Sequence, residues 1–330
     1  MRPFTYAKPT DAAVAARTVA ADAGTRFLAG GTTLYDLMKL DVERPAAVVD
    51  VTALPGLSAV TTDNPREIAF GALAKMADAA ANPVLRRDYP ALTESLDKAA
   101  SQQLRNMATL GGNLLQRTRC AYFRGGEPYA CNKRVPGSGC AAIEGLDRGH
   151  AVLGGSASCI AVYPGDWAVA LLAFDAVVDV QGPRGRRTIP LAAFHREPGA
   201  TPQVETSLAR DELILRVRVP KTPLGRASTY HKIRDRESYA FALASAAVAL
   251  RMEGDTVREA RIALGGLATR PWRAREAERS LVGGPLTPDT ARAAGEAALR
   301  GARAGHHNAF RIELGARTVA DAILIAHTRA

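Results

Sequence analysis

Apolar and polar positions first fall into a helical period just inside the N-terminus. Thr10 stands as the expected cap before Asp11-Ala12-Ala13-Val14-Ala15, and the pattern predicts an alanine-rich helix ending near Gly24. Arg26–Ala29 reads as a short strand that runs into Gly30-Gly31-Thr32-Thr33, with a helix over Leu34–Met38 and a second strand over Ala47–Val51. This alternation is a βαβ-like unit. Ile68–Ala72 is another strand, and residues 75–106 are mostly helical. Residues 116–158 are rich in glycine and lack periodicity. So long a loop in a compact protein needs an internal staple or is mobile. Order resumes with a helix at Trp167–Leu172, a strand at Val177–Val180 and a turn at Gly182–Gly185. Leu213–Val219 alternates with period two and ends at Pro220, a half-buried strand. Beyond a linker at 220–226 come strands with a hairpin near Glu253-Gly254-Asp255, then helices at about 273–282, 287–301 and 316–328.

The pattern divides the chain into residues 1–222 and 227–330. The first part splits further into subdomains of about 1–55 and 56–222, with a cysteine-rich loop over about 116–160. A length of 330 residues agrees with two or three packed units. No run approaches the ~18 consecutive apolar residues of a membrane span. Met1–Tyr6 lacks the apolar core of a signal peptide. The expected compartment is therefore the cytoplasm, or the periplasm if a partner with a twin-arginine signal carries the folded chain out. The net charge of +10 raises the question of nucleic acid. The basic residues are scattered, mostly arginine, and aromatics are only 5%. They read as a solvated surface or one facing an acidic partner, and nucleic acid is not expected.

Two segments carry candidate chemistry. In Leu28-Ala29-Gly30-Gly31-Thr32-Thr33-Leu34, a strand leads through paired glycines and hydroxyls into a helix. Glycines let backbone N–H groups approach an anion, and the helix offers its positive end. Thr109-Leu110-Gly111-Gly112-Asn113-Leu114-Leu115 repeats the design. Two such cradles suit an extended anion such as a pyrophosphate; two unrelated glycine turns are the competing reading. There is no G-x-G-x-x-G of a Rossmann site and no G-x-x-x-x-G-K-[ST] phosphate loop. His306 and His307 are adjacent and make a poor metal pair.

The four cysteines, Cys120, Cys131, Cys140 and Cys159, all lie in the loop of about 116–160. Such clustering asks for a common ligand or two disulfides. Intervals of ten, eight and eighteen residues do not match the short C-x-x-C spacing of structural zinc sites. Disulfides need an oxidising compartment. Thiolates are the natural ligands of an iron–sulfur cubane, so a cluster leads, with zinc and disulfides still open. Arg117, Arg119, Arg124, Lys133, Arg134 and Arg148 share the loop, either to offset an anionic cluster or as a solvated surface.

The combined motifs resemble the flavoprotein subunit of the xanthine dehydrogenase and carbon monoxide dehydrogenase families. Leu28–Leu34, Ala99–Ala108, Thr109–Asn113, Tyr163-Pro164-Gly165-Asp166 and Tyr230–Arg236 carry the match, which covers essentially the whole chain. The resemblance implies an α+β flavin fold of the vanillyl-alcohol-oxidase type: two α/β subdomains followed by an α+β C-terminal domain. It implies that Phe27, Leu28, Ala29, Gly30, Gly31, Thr32, Thr33 and Leu34 wrap the FAD pyrophosphate, with Thr109, Gly112 and Asn113. Leu115 would pack near the flavin, and Ala99 and Ala100 would line the same cleft. Asp166 would bind a sugar or ribityl hydroxyl. Ile214 and Lys232 would flank the ring, with Arg216 beside Ile214.

The cysteine loop is similar to that of the flavin subunit of periplasmic-type aldehyde oxidoreductases and, more distantly, of hydroxybenzoyl-CoA reductase. There the loop holds a four-iron, four-sulfur (4Fe-4S) cluster. The implied partners are a molybdopterin-binding large subunit, a small subunit with 2Fe-2S clusters, and an external electron acceptor. The implied role is electron relay through FAD, since no acid–base pair stands out. A stand-alone FAD oxidoreductase and a zinc-stapled binding module are the other readings.

Overall fold

The computed structural model describes all 330 residues. Three sheets organise the chain. The first holds Thr5–Ala7, Ala47–Asp50 and Thr25–Leu28, all parallel, with Ala47–Asp50 in the centre. The helix Leu34–Lys39 lies in the crossover between Thr25–Leu28 and Ala47–Asp50. The second sheet is antiparallel and orders Val60–Thr61, Glu67–Gly71, Leu213–Pro220, Val177–Gly182 and Gly185–Pro190. The third orders Trp272–Arg273, Thr256–Gly265, Ala244–Glu253 and Ser228–Ile233, again antiparallel.

The largest core surrounds the helix Trp167–Ala173, every residue of which is buried. Trp167 meets Phe70 edge-on at 5.4 Å. Tyr230, Ala247, Ala249 and Ala263 of the third sheet join this core. The opposite face of that sheet packs on helices Arg275–Leu281, Pro288–Ala298 and Phe310–His327. Burial of both faces explains why Ala244–Leu250 lacks polar alternation.

Some details differ from the sequence pattern. Asp11, not Thr10, caps the first helix: its carboxylate accepts from Val14 N–H at 2.8 Å. The helical region 75–106 is broken, because Pro83 and Pro90 each start a new helix. The last helix begins at Phe310, six residues before 316. Gly315 lies inside this helix at a close contact; a Cβ there would sit 2.7 Å from Leu267 Cδ1. Strands Thr5–Ala7 and Gly185–Pro190 lie at sheet edges and are mostly exposed, so their sequences carry little apolar alternation.

A candidate flavin groove and a cysteine loop

A solvent-open groove of about 1380 Å³ runs between the first two sheets. Phe27, Ala29, Gly30, Gly31, Thr32, Thr33 and Leu34 line one wall, and Thr109, Gly112, Leu115 and Ile214 line the other. The two glycine segments therefore share one site. What joins them is Gly30, whose missing Cβ would collide with the Met107 carbonyl. Gly111 does the same against Ala72, at 2.9 Å. One glycine of each pair is thus required for packing between segments.

The other glycines face open space. A Cβ on Gly31 would meet nothing closer than Leu28 Cδ1 at 3.6 Å, and its φ of +73° favours glycine. A Cβ on Gly112 would meet only Thr109 Oγ1, at 3.0 Å. The N–H groups of Gly30, Gly31, Thr32 and Thr33 donate to no protein acceptor, and neither threonine hydroxyl is engaged. Consecutive free N–H groups ahead of a helix make an anion nest.

The second segment is built differently. Leu110 N–H bonds Ala74, Gly111 N–H bonds Ala72, and Gly112 and Asn113 N–H both bond Thr109. It offers a glycine surface and one buried orphan, the Asn113 Oδ1, rather than a second nest. The nest and the open glycine faces fit a pyrophosphate-linked dinucleotide; Asn113 is buried and does not line the groove.

The remaining candidates lie elsewhere. Leu28 lies in the Thr25–Leu28 strand beneath the groove and does not line it. Asp166 and Lys232 form a buried pair 2.8 Å apart, and Lys232 also donates to the Lys98 carbonyl, next to Ala99 and Ala100. Ala100 adopts φ +50°. These four residues converge at a junction of the Trp167 helix and the third sheet. Burial pushes the Asp166 carboxyl up, against the opposing pull of Lys232 and Tyr230. Arg216 is outside the groove; it pairs with Asp179 at 2.7 Å on the exposed side of the second sheet. A register shift opposite Asp179 and Val180 turns Arg216 away from the face expected beside Ile214. The pattern had not pointed to Arg26, Arg117, Arg210, Leu208 and Leu213, which also line the groove. Arg26 and Leu213 directly precede the candidates Phe27 and Ile214, while Leu208 and Arg210 come from a segment with no motif.

The cysteine loop is more ordered than its composition suggests. Asn132 N–H bonds Gly139 and Ala141 N–H bonds Ala130, so Cys131 faces Cys140 across a small hairpin. Phe123 is buried under the Arg117 guanidinium. The cationic side chains work as pins: Arg119 and Arg124 both bind Asp36, while Arg117 and Lys133 bind Glu205. Asp36 lies on the helix that follows the nest, so the loop is tied to the groove's own framework. All four cysteines are free thiols. Burial pushes Cys120 up to about 11, with Cys131 and Cys159 adding to the push. Burial also raises Cys159, and Cys140 and Cys131 reinforce it. No group of three His, Cys, Asp or Glu side chains is placed to hold a metal ion. Cys159, His195, Tyr163, Leu114 and Leu115 line a partly open pocket, which therefore reaches from the loop to the groove-lining Leu115. Burial holds His195 at about 4, and its Nε2 lies 3.0 Å from the Leu114 carbonyl.

A mixed α+β fold with a nest-bearing groove between two sheets defines a flavin-binding module. Residues 2–222 match the family described as FAD binding domain in molybdopterin dehydrogenase, and residues 228–326 match the CO dehydrogenase flavoprotein C-terminal domain. The chain belongs to this family, the FAD-binding medium subunits of molybdenum hydroxylases.

The chain is 45% identical to the aldehyde oxidoreductase FAD-binding subunit PaoB of Escherichia coli over 334 residues, covering 100% of both. It is 28% identical to the nicotine 6-hydroxylase medium subunit of Paenarthrobacter nicotinovorans, over 89% of this chain and 86% of that one. Among solved structures, a chain of carbon monoxide dehydrogenase from Hydrogenophaga pseudoflava superposes with TM-score 0.78 at 25% identity, covering 100% of both chains. No helix is long and apolar enough to cross a membrane.

Proposed function

We propose that this chain is the electron-transfer subunit of an aldehyde-oxidising molybdenum hydroxylase, holding FAD in the groove and a 4Fe-4S cluster in the cysteine loop. The observation that carries the FAD assignment is the run of four free N–H groups, Gly30 to Thr33, aimed into a groove whose far wall is the Gly112 face. Phe27 and Ala29 through Leu34, with Thr109 and Gly112, would hold the pyrophosphate end, with Leu28 and Asn113 packed behind them. Leu115 and Ile214 would meet the ring. Ala99, Ala100, Asp166 and Lys232 would close the site where the third sheet meets the Trp167 helix.

Bound FAD would supply the electron exchange; the chain's residues position it and shield it. Aldehyde as the substrate rests on the relative at 45% identity. Large molybdopterin and small 2Fe-2S subunits would complete the complex, working in the cytoplasm or, by co-export with a signal-bearing partner, in the periplasm.

For the cluster, the support is the donor set: four free thiols within one pinned loop.

The test is anaerobic addition of an aldehyde to the purified chain and to the co-expressed complex, following flavin absorbance. Bleaching in the complex alone is the expected result. Bleaching by the isolated chain would overturn the relay reading.

A further inference from the structure

We propose that His195 and Tyr163 are positioning residues for the flavin: from beneath the groove they hold the Leu114 carbonyl and so set where Leu115 meets the bound ring. The inference rests on the FAD reading of the groove. His195 Nε2 lies 3.0 Å from the Leu114 carbonyl oxygen, and the Tyr163 hydroxyl donates to the same oxygen at 3.3 Å. A carbonyl can only accept, so the His195 proton sits on Nε2. Leu114 ends the short helix Leu110–Leu114, and the last carbonyls of a helix have no partner within it. No backbone N–H bonds this one. Two side chains supply what the helix lacks, and the next residue, Leu115, lines the groove.

Both rings are held by other parts of the chain. The backbone of His195 pairs with Thr206, which also lines the groove. Tyr163 N–H bonds the Ala268 carbonyl at 3.1 Å, just past the Thr256–Gly265 strand. Gly165 leaves room for the phenol, since a Cβ there would sit 2.5 Å from its oxygen. The two rings lie 4.4 Å apart. The Leu114 carbonyl is thus fixed from the second sheet and from the C-terminal domain at once. The pocket on the far side of Leu115 leaves that side chain room to shift, so its place in the groove depends on the backbone before it.

The chemistry of His195 argues against mere filling. It is 6% exposed, and its Nδ1 has no protein partner. An unmet acceptor in a buried site lowers stability where an apolar side chain would not. What the imidazole adds over leucine is the Nε2 proton, and that proton goes to Leu114. Burial holds the ring at about 4, so it stays neutral and the bond is unchanged around pH 7.

The experiment strips the full-length chain of FAD and titrates FAD back. It reads the dissociation constant by flavin fluorescence, the circular dichroism of the bound flavin, and the melting temperature of the apoprotein. His195→Leu should weaken FAD binding about tenfold and alter the flavin dichroism. His195→Gln, whose amide can donate, should return both toward wild type. Tyr163→Phe leaves no cavity, decides the matter should His195→Leu not fold, and should move both readouts the same way by less. In a Leu115→Ala background, His195→Leu should add little, because the side chain it positions is gone. Wild-type affinity and dichroism in His195→Leu and Tyr163→Phe would overturn the inference and leave FAD in the groove. A lower apoprotein melting temperature with unchanged flavin dichroism would also overturn it, making the pair structural only. So would full additivity of His195→Leu with Leu115→Ala, which would remove the route through Leu115. A wild-type chain that binds no FAD would overturn the reading of the groove itself.

Discussion

Lys232 Nζ and Asp166 Oδ2 lie 2.8 Å apart with side chains only 1% and 5% exposed, and they join the start of the Trp167 helix to the Ser228–Ile233 strand. Tyr230 donates to the other carboxylate oxygen at 2.5 Å and completes the site. Removing one partner of a buried pair leaves an uncompensated charge and costs ~3–5 kcal/mol. Lys232→Met should therefore lower the melting temperature of the complex by several degrees, and adding Asp166→Asn should recover part of the loss. Calorimetry on the single and double variants checks this. A Lys232→Met protein that melts with wild type would mean the pair is solvated.

The glycine pairs separate binding from folding. Gly112 faces the groove, so Gly112→Leu should reduce FAD content at least tenfold while the melting temperature of the apoprotein stays near wild type. Gly30 faces the Met107 carbonyl, so Gly30→Val should destabilise the fold by ~1–3 kcal/mol through overpacking. Flavin-to-protein ratios and apoprotein melts resolve the two. Equal behaviour of the two variants would contradict the division.

Much of this was legible in the sequence because the signals are local. The Gly30-Gly31-Thr32-Thr33 turn follows a strand and precedes a helix, and both its place and its free N–H groups follow from neighbouring residues. The second segment has the same letters and a different use, because its N–H groups meet Ala72 and Ala74, which lie far back in the chain. The family resemblance puts Arg216 beside Ile214, but an irregularity in the pairing with Val177–Gly182 gives it another face. The true start of the last helix at Phe310 is not marked locally, because the contact that seats Gly315 inside it comes from Leu267, far back in the chain. The pins on Asp36 and Glu205, and the reach of His195 to the Leu114 carbonyl, are long-range contacts between residues that are individually unremarkable.

Asp179 gives a pH-dependent signature. Burial alone would raise its carboxyl, but hydrogen bonds from Arg218, Arg216 and Thr188 hold it at about 2. A depressed folded pKa stabilises the protein above the unfolded value near 4, and that stability is lost as pH falls through the folded value near 2. By linkage the contribution at neutral pH is about 1–2 kcal/mol. Wild type should lose this increment between pH 4 and 2, whereas Asp179→Asn should start lower at pH 7 and show a flatter slope there. Denaturant melts across that range decide it, and parallel slopes would rule the ion cluster out as a source of acid sensitivity.

The cysteine loop makes the last prediction, and its pins sharpen it. If Cys120, Cys131, Cys140 and Cys159 hold one 4Fe-4S cluster, replacing any one with Ser should lose the cluster or leave it labile. Iron and acid-labile sulfide should fall together, with loss of the reduced-state paramagnetic signal. Metal binding contributes ordering free energy to a segment that packing alone holds weakly. Yet the loop is not uniformly weak. Arg117, Arg119, Arg124 and Lys133 tie it to Glu205 and Asp36, and Phe123 is buried. Tyr129 and Val135, by contrast, are exposed large apolar residues. Limited proteolysis of the Cys131→Ser protein should therefore cut between Gly125 and Gly139, while the chain on either side and its FAD remain intact. Stoichiometric zinc without sulfide in wild type would sink the cluster. Cleavage spread evenly over 116–160 would show that the pins do not hold the loop once the cluster is gone.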